Sequence, residues 1–200
     1  MNPVRHDGPV FVIGLVDGAG DRLAERLGQH PNLCRIPRSR LLGDLAGAID
    51  RNQSALAVYG MPEQYWRKAV ATFFDGLQRD HAVRDHKSRW AAYVPSSSLS
   101  IDDLDRLFPT AQFVHVVTRP RGGAGRVISA NRRAGSRLLS GRYLEVAESH
   151  LIMGIDACAQ SVLRFLGEED LVVREQEVRV MESVTVVDLA DAHLRRSEHR

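Results

Sequence analysis

The chain has 200 residues, of which 44% are hydrophobic and 26% charged, and its formal net charge is +2. This length suits one domain with a sizeable core, and the charge is too small to indicate nucleic-acid binding. Only Lys68 and Lys87 are lysines among the 27 basic residues, a bias that a GC-rich genome explains more simply than a binding function does. The cysteines Cys34 and Cys158 give neither a disulfide framework nor a metal-ligand spacing, so no metal site is expected.

The N-terminal residues do not predict a targeting or membrane segment. Residues 1–9 are polar, and the apolar run at residues 10–16 is too short for a signal core or a membrane span. We therefore expect a cytoplasmic protein without membrane contact. A single domain is predicted over residues 1–200, with residues 1–9 and 193–200 flexible.

The N-terminal half of the chain predicts one strand followed by helices. Residues 10–16 indicate a buried parallel strand because this apolar run does not alternate with polar residues. A helix follows and ends at Gly28, and further helices are predicted over residues 40–49 and 62–78. The last of these helices carries an apolar face formed by Trp66, Val70, Phe73, Phe74 and Leu77.

The C-terminal half alternates strands and helices. Ser100 is the predicted N-cap of a helix that Pro109 stops, and residues 112–117 predict a second buried strand. An arginine-rich helix follows. The remaining predicted elements are a strand at residues 143–146, a helix at 155–166 closed by Gly167, and one or two strands within 178–189. Such alternation predicts an α/β fold with a central parallel sheet flanked by helices.

The glycine-rich turn after the first strand has the layout of a phosphate-binding loop but the wrong charges. Gly14, Gly18 and Gly20 supply flexibility before a helix N-terminus, which is where phosphates bind. The turn carries Asp17 and Asp21, and it has no lysine before the helix. A carboxylate a few Å from a phosphate costs roughly 1 kcal/mol in water and several in a drier site. Taken alone, the loop is more simply a tight turn without a ligand.

Four separated segments carry a family resemblance. They read VIGLVDGAGDRL with LGQHP (residues 12–31), RWAAYVP (89–95), LDRLFPTAQFVHVVTRPR (104–121) and RYLEV to VLRFLG (142–167). Together, in this order, they resemble the sulfotransferases that take sulfonate from 3′-phosphoadenosine 5′-phosphosulfate (PAPS). The matching family features are the loop helix with its Gln-His-Pro ending, the Lys-Thr-Pro segment, the LFP-to-RDPR run and the final FLG. The resemblance implies the P-loop-like sulfotransferase fold.

The resemblance places the 5′-phosphosulfate contacts of the family on residues of the wrong chemistry. The loop arginine of the family falls on Asp17, beside Gly18. The paired threonines fall on Gly20 and Asp21. The lysine that supports the transferring sulfonate falls on Tyr93.

The 3′-phosphate contacts are lost in the same way. The arginine and serine that hold this phosphate in the family fall on Thr118 and Arg126, and a further arginine falls on Ala147. A shifted alignment would instead offer Arg119 and Ser129 as the pair, at the cost of an insertion beside a deletion. The basic, glycine-rich donor loop of the family has no counterpart in the sequence after residue 167.

These losses imply weak donor binding. Charge-assisted contacts contribute about 1.5–3 kcal/mol each. Losing several and adding two carboxylates forfeits on the order of 5 kcal/mol, roughly a factor of thousands in affinity. The resemblance therefore implies a sulfotransferase-like subunit with a degraded PAPS site and no catalytic residues of its own. Its partner would be a catalytic sulfotransferase that holds the PAPS, as in natural-product pathways that use unequal pairs.

Three alternatives remain open at this stage. The chain is a stand-alone PAPS-dependent sulfotransferase with a relocated donor site, or a binding module unrelated to sulfonation. A third alternative is an enzyme for a different donor that uses Asp17 or Asp21 as a base or metal ligand.

Histidines and arginines supply the other candidate residues. His81 and His86 precede Arg89, near where an acceptor-side base of the family can lie, although a solvated surface role is the simpler interpretation. His115 lies mid-strand and is expected in the core. Three arginines after the second strand indicate a basic face for an acidic partner, such as a carrier protein bearing the substrate, or a merely solvated face. These are Arg126, Arg133 and Arg137.

Overall fold

The computed structural model describes residues 7–15, 18–118 and 124–168. Strands and helices alternate over most of this range. In chain order they are β1 (Val10–Gly14), α1 (Ala19–Leu27), β2 (Leu33–Arg35), α2 (Leu41–Arg51), α3 (Gln53–Ala57), α4 (Glu63–Arg84), β3 (Arg89–Pro95), α5 (Ile101–Leu107), β4 (Gln112–Val117), α6 (Ala124–Gly135), β5 (Tyr143–Ala147), α7 (Glu148–Met153) and α8 (Ile155–Leu166).

In the described part of the chain, five strands form one parallel sheet in the order β2-β3-β1-β4-β5. The predicted α/β class and parallel sheet are thus confirmed. From β1 the chain crosses the position of β3 to reach β2 at one edge of the sheet. From β3 it crosses β1 to reach β4 on the other side. The strand order therefore reverses at β1. In open α/β sheets, ligands bind at the carboxyl ends of the strands beside such a reversal. The glycine-rich turn leaves β1 at this point.

One face of the sheet carries an aromatic core. The ring of Phe11 lies with its centroid 5.4 Å from Trp90, 5.3 Å from Phe108 and 6.0 Å from Phe113. Phe74 of α4 packs edge-on against Trp90 at 5.9 Å. These contacts hold α4 and α5 against β1, β3 and β4. On the other face, α1 and α8 bury the side chains of Leu23, Leu27, Leu163 and Leu166 completely.

Local sequence signals set several of the element ends. Ser100 caps α5 through a capping box: its hydroxyl accepts from the backbone N–H of Asp103, and the Asp103 carboxylate accepts from the N–H of Ser100. Gly167 ends α8 with a φ of 76°, the left-handed conformation that glycine adopts readily. Both were expected. The strands predicted within residues 178–189 lie outside the described residues.

The helix α4 differs from its prediction in length and in its buried face. It continues to Arg84, and its buried residues include Ala71 and Phe74. Phe73, predicted to face the core, is 59% exposed, and Leu77 is exposed as well. The apolar stripe of α4 is therefore wider than the part of the helix that packs on the sheet, and the rest of the stripe is exposed at the surface.

A buried arginine ties the amino edge of the sheet together. Arg89, at the start of β3, donates to the backbone oxygen of Gly8 (2.5 Å) and to Gln112 (2.6 Å), and pairs with Glu168 (3.5 Å). This network holds the two ends of the described chain on the sheet. Among the described helices, none is both long and apolar enough to cross a membrane.

Candidate functional site

The predicted donor-site positions gather at the carboxyl edge of the sheet. Gly14 at the end of β1 pairs with Pro95 at the end of β3, so Tyr93 lies beside the glycine-rich turn. Val117, which precedes Thr118, pairs with Ala147 at the end of β5. The fold thus brings these positions to one edge, as parallel strands require.

Tyr93 occupies the space beneath the glycine-rich turn. Its side chain is buried, with 6% of the residue exposed, and its hydroxyl donates a hydrogen bond to the backbone oxygen of Leu15. A Cβ atom added at Gly20 would lie 2.8 Å from Cε2 of the Tyr93 ring. Glycine is therefore needed at residue 20 because the ring approaches the helix backbone so closely. Where the family places a lysine, this chain has an aromatic ring that packs against the loop.

A carboxylate lies on the other side of the turn. A Cβ atom added at Gly18 would lie 3.5 Å from Oε1 of Glu148, the first residue of α7. Negative charge at this distance from the turn disfavours a bound phosphate. The sequence marked Ala147 as degenerate, but the approach of Glu148 depends on how β5 sets α7 against the turn. The family resemblance also placed an aromatic residue of the family on Glu148, but it gave no sign that this carboxylate lies against the turn.

Asp21 is held by an ion pair. It lies in the first turn of α1, where a carboxylate interacts favourably with the helix dipole. Its Oδ1 lies 2.9 Å from Nη2 of Arg35, at the end of β2, and both side chains are about one-third exposed. This contact gives Asp21 a structural partner and argues against its use as a free base or metal ligand.

One cation does lie near the turn, on the segment after β2. The guanidinium carbon of Arg38 is 5.8 Å from the centroid of the Tyr93 ring, a distance typical of a cation–π contact. Arg38 is exposed. The family resemblance gave no reason to single it out, because none of the four matching segments contains it.

The residues of the predicted basic face are exposed. Arg126, Ser129 and Arg133 lie on α6 with exposed side chains. Arg137 lies in the turn beyond α6 and pairs with Asp102 of α5 at 3.1 Å. Two further predicted positions, Asp17 and Arg119, lie outside the described residues, so the alternative 3′-phosphate pair is described only at Ser129.

The histidines separate into a core residue and surface residues. His115 is 1% exposed, and its Nδ1 lies 3.0 Å from the hydroxyl of Tyr143. Burial lowers the pKa of His115 to about 4, so the ring is neutral at physiological pH. The predicted core role is confirmed. His86 is exposed, whereas His81 is half-buried beside Cys34.

No protein-family model and no curated protein sequence matches the chain. The solved structures that resemble its fold include three sulfotransferases or sulfotransferase domains. A sulfotransferase domain from the curacin biosynthetic pathway is 13% identical over 82% of this chain and 75% of its own, with a TM-score of 0.51. The sulfotransferase domain of the Synechococcus PCC 7002 olefin synthase is 19% identical over 84% and 77%, with a TM-score of 0.52. A sulfotransferase from Alicyclobacillus acidocaldarius is 12% identical over 96% of both chains, with a TM-score of 0.51. The chain has the P-loop-like sulfotransferase fold.

Proposed function

We propose that this chain is a sulfotransferase-fold subunit with a degraded PAPS site that supports a catalytic sulfotransferase partner. The observation that carries the proposal is the placement of Tyr93 and Glu148 on either side of the glycine-rich turn. Sulfonate transfer develops negative charge on the bridging oxygen and the leaving phosphate, so it relies on fixed cations and donors at this place. The hydroxyl of Tyr93 already donates a hydrogen bond to the backbone oxygen of Leu15, and Glu148 adds negative charge beside the turn.

The frame of the fold is retained while the charges of the site are lost. The aromatic core around Phe11 and the buried leucines of α1 and α8 fill both faces of the sheet. A fold kept intact without its ligand-binding charges supports a role in assembly rather than in binding PAPS.

An exposed apolar surface around α3, α4 and the turn between them supports the presence of a protein partner. Val58 is 84% exposed, and Tyr59 and Met61, which follow it in sequence, are exposed as well. Phe73 on α4 is also exposed. An open groove of about 480 Å³ runs between α2, α3 and α4. Its lining includes Leu45, Leu56, Trp66, Val70 and Phe73. Contiguous apolar surface of this kind marks interaction sites in soluble proteins.

The setting we propose is natural-product biosynthesis in the cytoplasm. Two of the structural neighbours are sulfotransferase domains of a curacin pathway and of an olefin synthase. PAPS would bind the partner and not this chain. The exposed arginines Arg126 and Arg133 offer a face for a second partner, an acidic carrier protein that bears the substrate.

A second candidate function rests on Arg38. Its guanidinium lies beside the Tyr93 ring and so places a cation at the carboxyl edge of the sheet. Arg38 belongs to a segment that does not match the family. A stand-alone sulfotransferase with a relocated donor site would use this cation for the phosphosulfate.

Calorimetry with 3′,5′-adenosine bisphosphate, the desulfonated donor product, tests the proposal on the isolated chain. We expect no binding at micromolar concentrations, while an intact PAPS-dependent sulfotransferase measured alongside binds the nucleotide. Micromolar binding by this chain would overturn the degraded-site proposal. In that case an Arg38→Ala variant that binds at least tenfold more weakly, with an unaffected Arg84→Ala control, would establish the relocated site.

A further inference from the structure

A cluster of three metal-ligating side chains lies where α4 ends against β2, on a different element pair from the glycine-rich turn. Cys34 of β2 offers a thiol, His81 a ring nitrogen and Asp85 a carboxylate oxygen. One ligand atom of each lies within 4.8 Å of the other two. Cys34 is buried, His81 is half-buried and Asp85 is exposed, so the cluster opens to solvent on the Asp85 side.

The fold sets these side chains in place through local contacts. His81 and Asp85 are four residues apart at the end of α4, a spacing that puts both on one side of a helix. Lys87, two residues after Asp85, fixes the turn. Its backbone N–H donates to Ala82 (2.9 Å), and its ammonium donates to the backbone oxygen of Leu33 (2.9 Å). The end of α4 is therefore fastened to the strand that carries Cys34.

The spacing of the thiol and the carboxylate fits two ligands of a tetrahedral site. In the structure the Cys34 thiol donates to Oδ2 of Asp85 at 3.4 Å. Zinc–sulfur and zinc–oxygen bonds of about 2.3 and 2.0 Å at a tetrahedral angle separate the two ligand atoms by about 3.5 Å. The thiol and carboxylate are thus already spaced as two ligands of one ion. A ring nitrogen of His81 lies within 4.8 Å of both atoms, so a tetrahedral site requires this half-buried side chain to move closer when the ion binds.

We propose that Cys34, His81 and Asp85 form a zinc site with water as the fourth ligand. A thiolate with an imidazole selects Zn²⁺ over Mg²⁺ and Ca²⁺, which prefer oxygen ligands alone. The thiol proton passes to solvent when the ion binds, and the thiolate and carboxylate together balance the charge of the ion. The nearby ammonium of Lys87 remains bonded to backbone oxygens. The ion clamps α4 to the three-residue strand β2.

The site escaped sequence reasoning because its ligands come from separated parts of the chain. Cys34 and Cys158 do not have a paired metal-ligand spacing, and His81 reads as a surface residue. Only the packing of α4 on β2 brings the three together.

Cobalt titration of the full chain, purified free of metal, tests the proposal. We expect one Co²⁺ per chain, a thiolate-to-cobalt charge-transfer absorption in the near ultraviolet, and displacement of the cobalt by Zn²⁺. Cys34→Ser should abolish this absorption, whereas Cys158→Ser should retain it. His81→Asn should weaken Co²⁺ binding at least tenfold. The matched control His86→Asn should bind as the wild type does, since asparagine tolerates the positive φ of 56° at residue 86.

A second measurement keeps the test decisive if Cys34→Ser does not fold. Zn²⁺ should raise the thermal unfolding midpoint of the wild type and of His86→Asn, and should raise that of His81→Asn by clearly less at the same Zn²⁺ concentration. The proposal is overturned if the folded wild type binds no cobalt with charge-transfer absorption. It is equally overturned if that absorption survives in Cys34→Ser or disappears in Cys158→Ser.

Discussion

At the scale of single residues, His115 couples the stability of the fold to pH. Its burial in β4 lowers its pKa to about 4, against an ordinary value of about 6.5 in the unfolded chain. Because the folded pKa is the lower one, the unfolded chain takes up the proton first as the pH falls. The stability that neutral His115 contributes is complete above about pH 6.5 and is lost progressively down to about pH 4.

Replacing His115 with glutamine should therefore flatten the pH dependence of stability. From the two pKa values, the wild type loses about 2.5 kcal/mol through this group between pH 7 and 4.5, and His115→Gln should lack that loss. Urea unfolding at both pH values measures it, and the comparison at pH 7 gives the separate cost of altered packing. Equal pH dependence in both proteins would contradict the assignment.

At the scale of elements, Gly28 shows why a glycine stands at the end of α1. Its φ of −65° is ordinary for any residue, so the left-handed conformation does not explain it. An added Cβ atom would instead lie 2.5 Å from Cβ of Arg35 on β2. The glycine lets α1 and β2 approach, and it thereby positions the arginine that pairs with Asp21.

Gly28→Ala should lower the free energy of unfolding by about 1–3 kcal/mol, the usual cost of overpacking a close contact. Gly76→Ala is the matched control. Gly76 lies inside α4 with nothing within 4 Å of an added Cβ, so alanine there should stabilise the protein by about 0.5–1 kcal/mol. Denaturant unfolding measures both changes. A stabilised Gly28→Ala protein would contradict the close contact between α1 and β2.

The elements that the sequence predicted well are those with strong local signals. The continuous apolar runs of β1 and β4, the capping residue of α5 and the glycine after α8 each act within a few residues of chain. By contrast, β2, α3 and α7 have only three, five and six residues, and neither they nor the seven-residue β3 were predicted. Short elements show too little hydrophobic periodicity to be recognised from sequence. Residues 33–35 form a strand because they pair with β3.

The candidate site was predictable in its positions and not in its contacts. Tyr93 and Thr118 follow from the resemblance, because strand ends keep their order along the sheet edge. Glu148, Arg38 and the cluster at Cys34 depend on side chains that meet across distant elements. Contacts between side chains from distant parts of the chain leave no pattern within a short stretch of sequence.

At the scale of the whole molecule, the two edges of the sheet differ in the side chains that they bury. Arg89 is buried at the amino edge of the sheet, with partners from both ends of the described chain. At the carboxyl edge, Tyr93 and Glu148 border the turn, and the cation beside the Tyr93 ring, Arg38, is exposed. Under the proposed function, this difference between the two edges reflects a fold that is maintained while its donor site is not. The same proposal assigns the apolar surface around α3 and α4 to the contact with the partner.

Phe73→Asp tests this surface. We expect the variant to bind an intact sulfotransferase encoded by a neighbouring gene at least tenfold more weakly, a loss of about 1.4 kcal/mol, because it places a charge in an apolar contact. Phe73 is 59% exposed, so the stability of the chain should change by only about 0.5 kcal/mol. Leu139→Asp, at a 77% exposed residue after α6, is the control and should leave affinity within about twofold of the wild type. Calorimetry on the purified pair gives the affinities and denaturant unfolding the stabilities. Equal losses in both variants would locate the interface elsewhere, and the absence of any complex would refute the pairing itself.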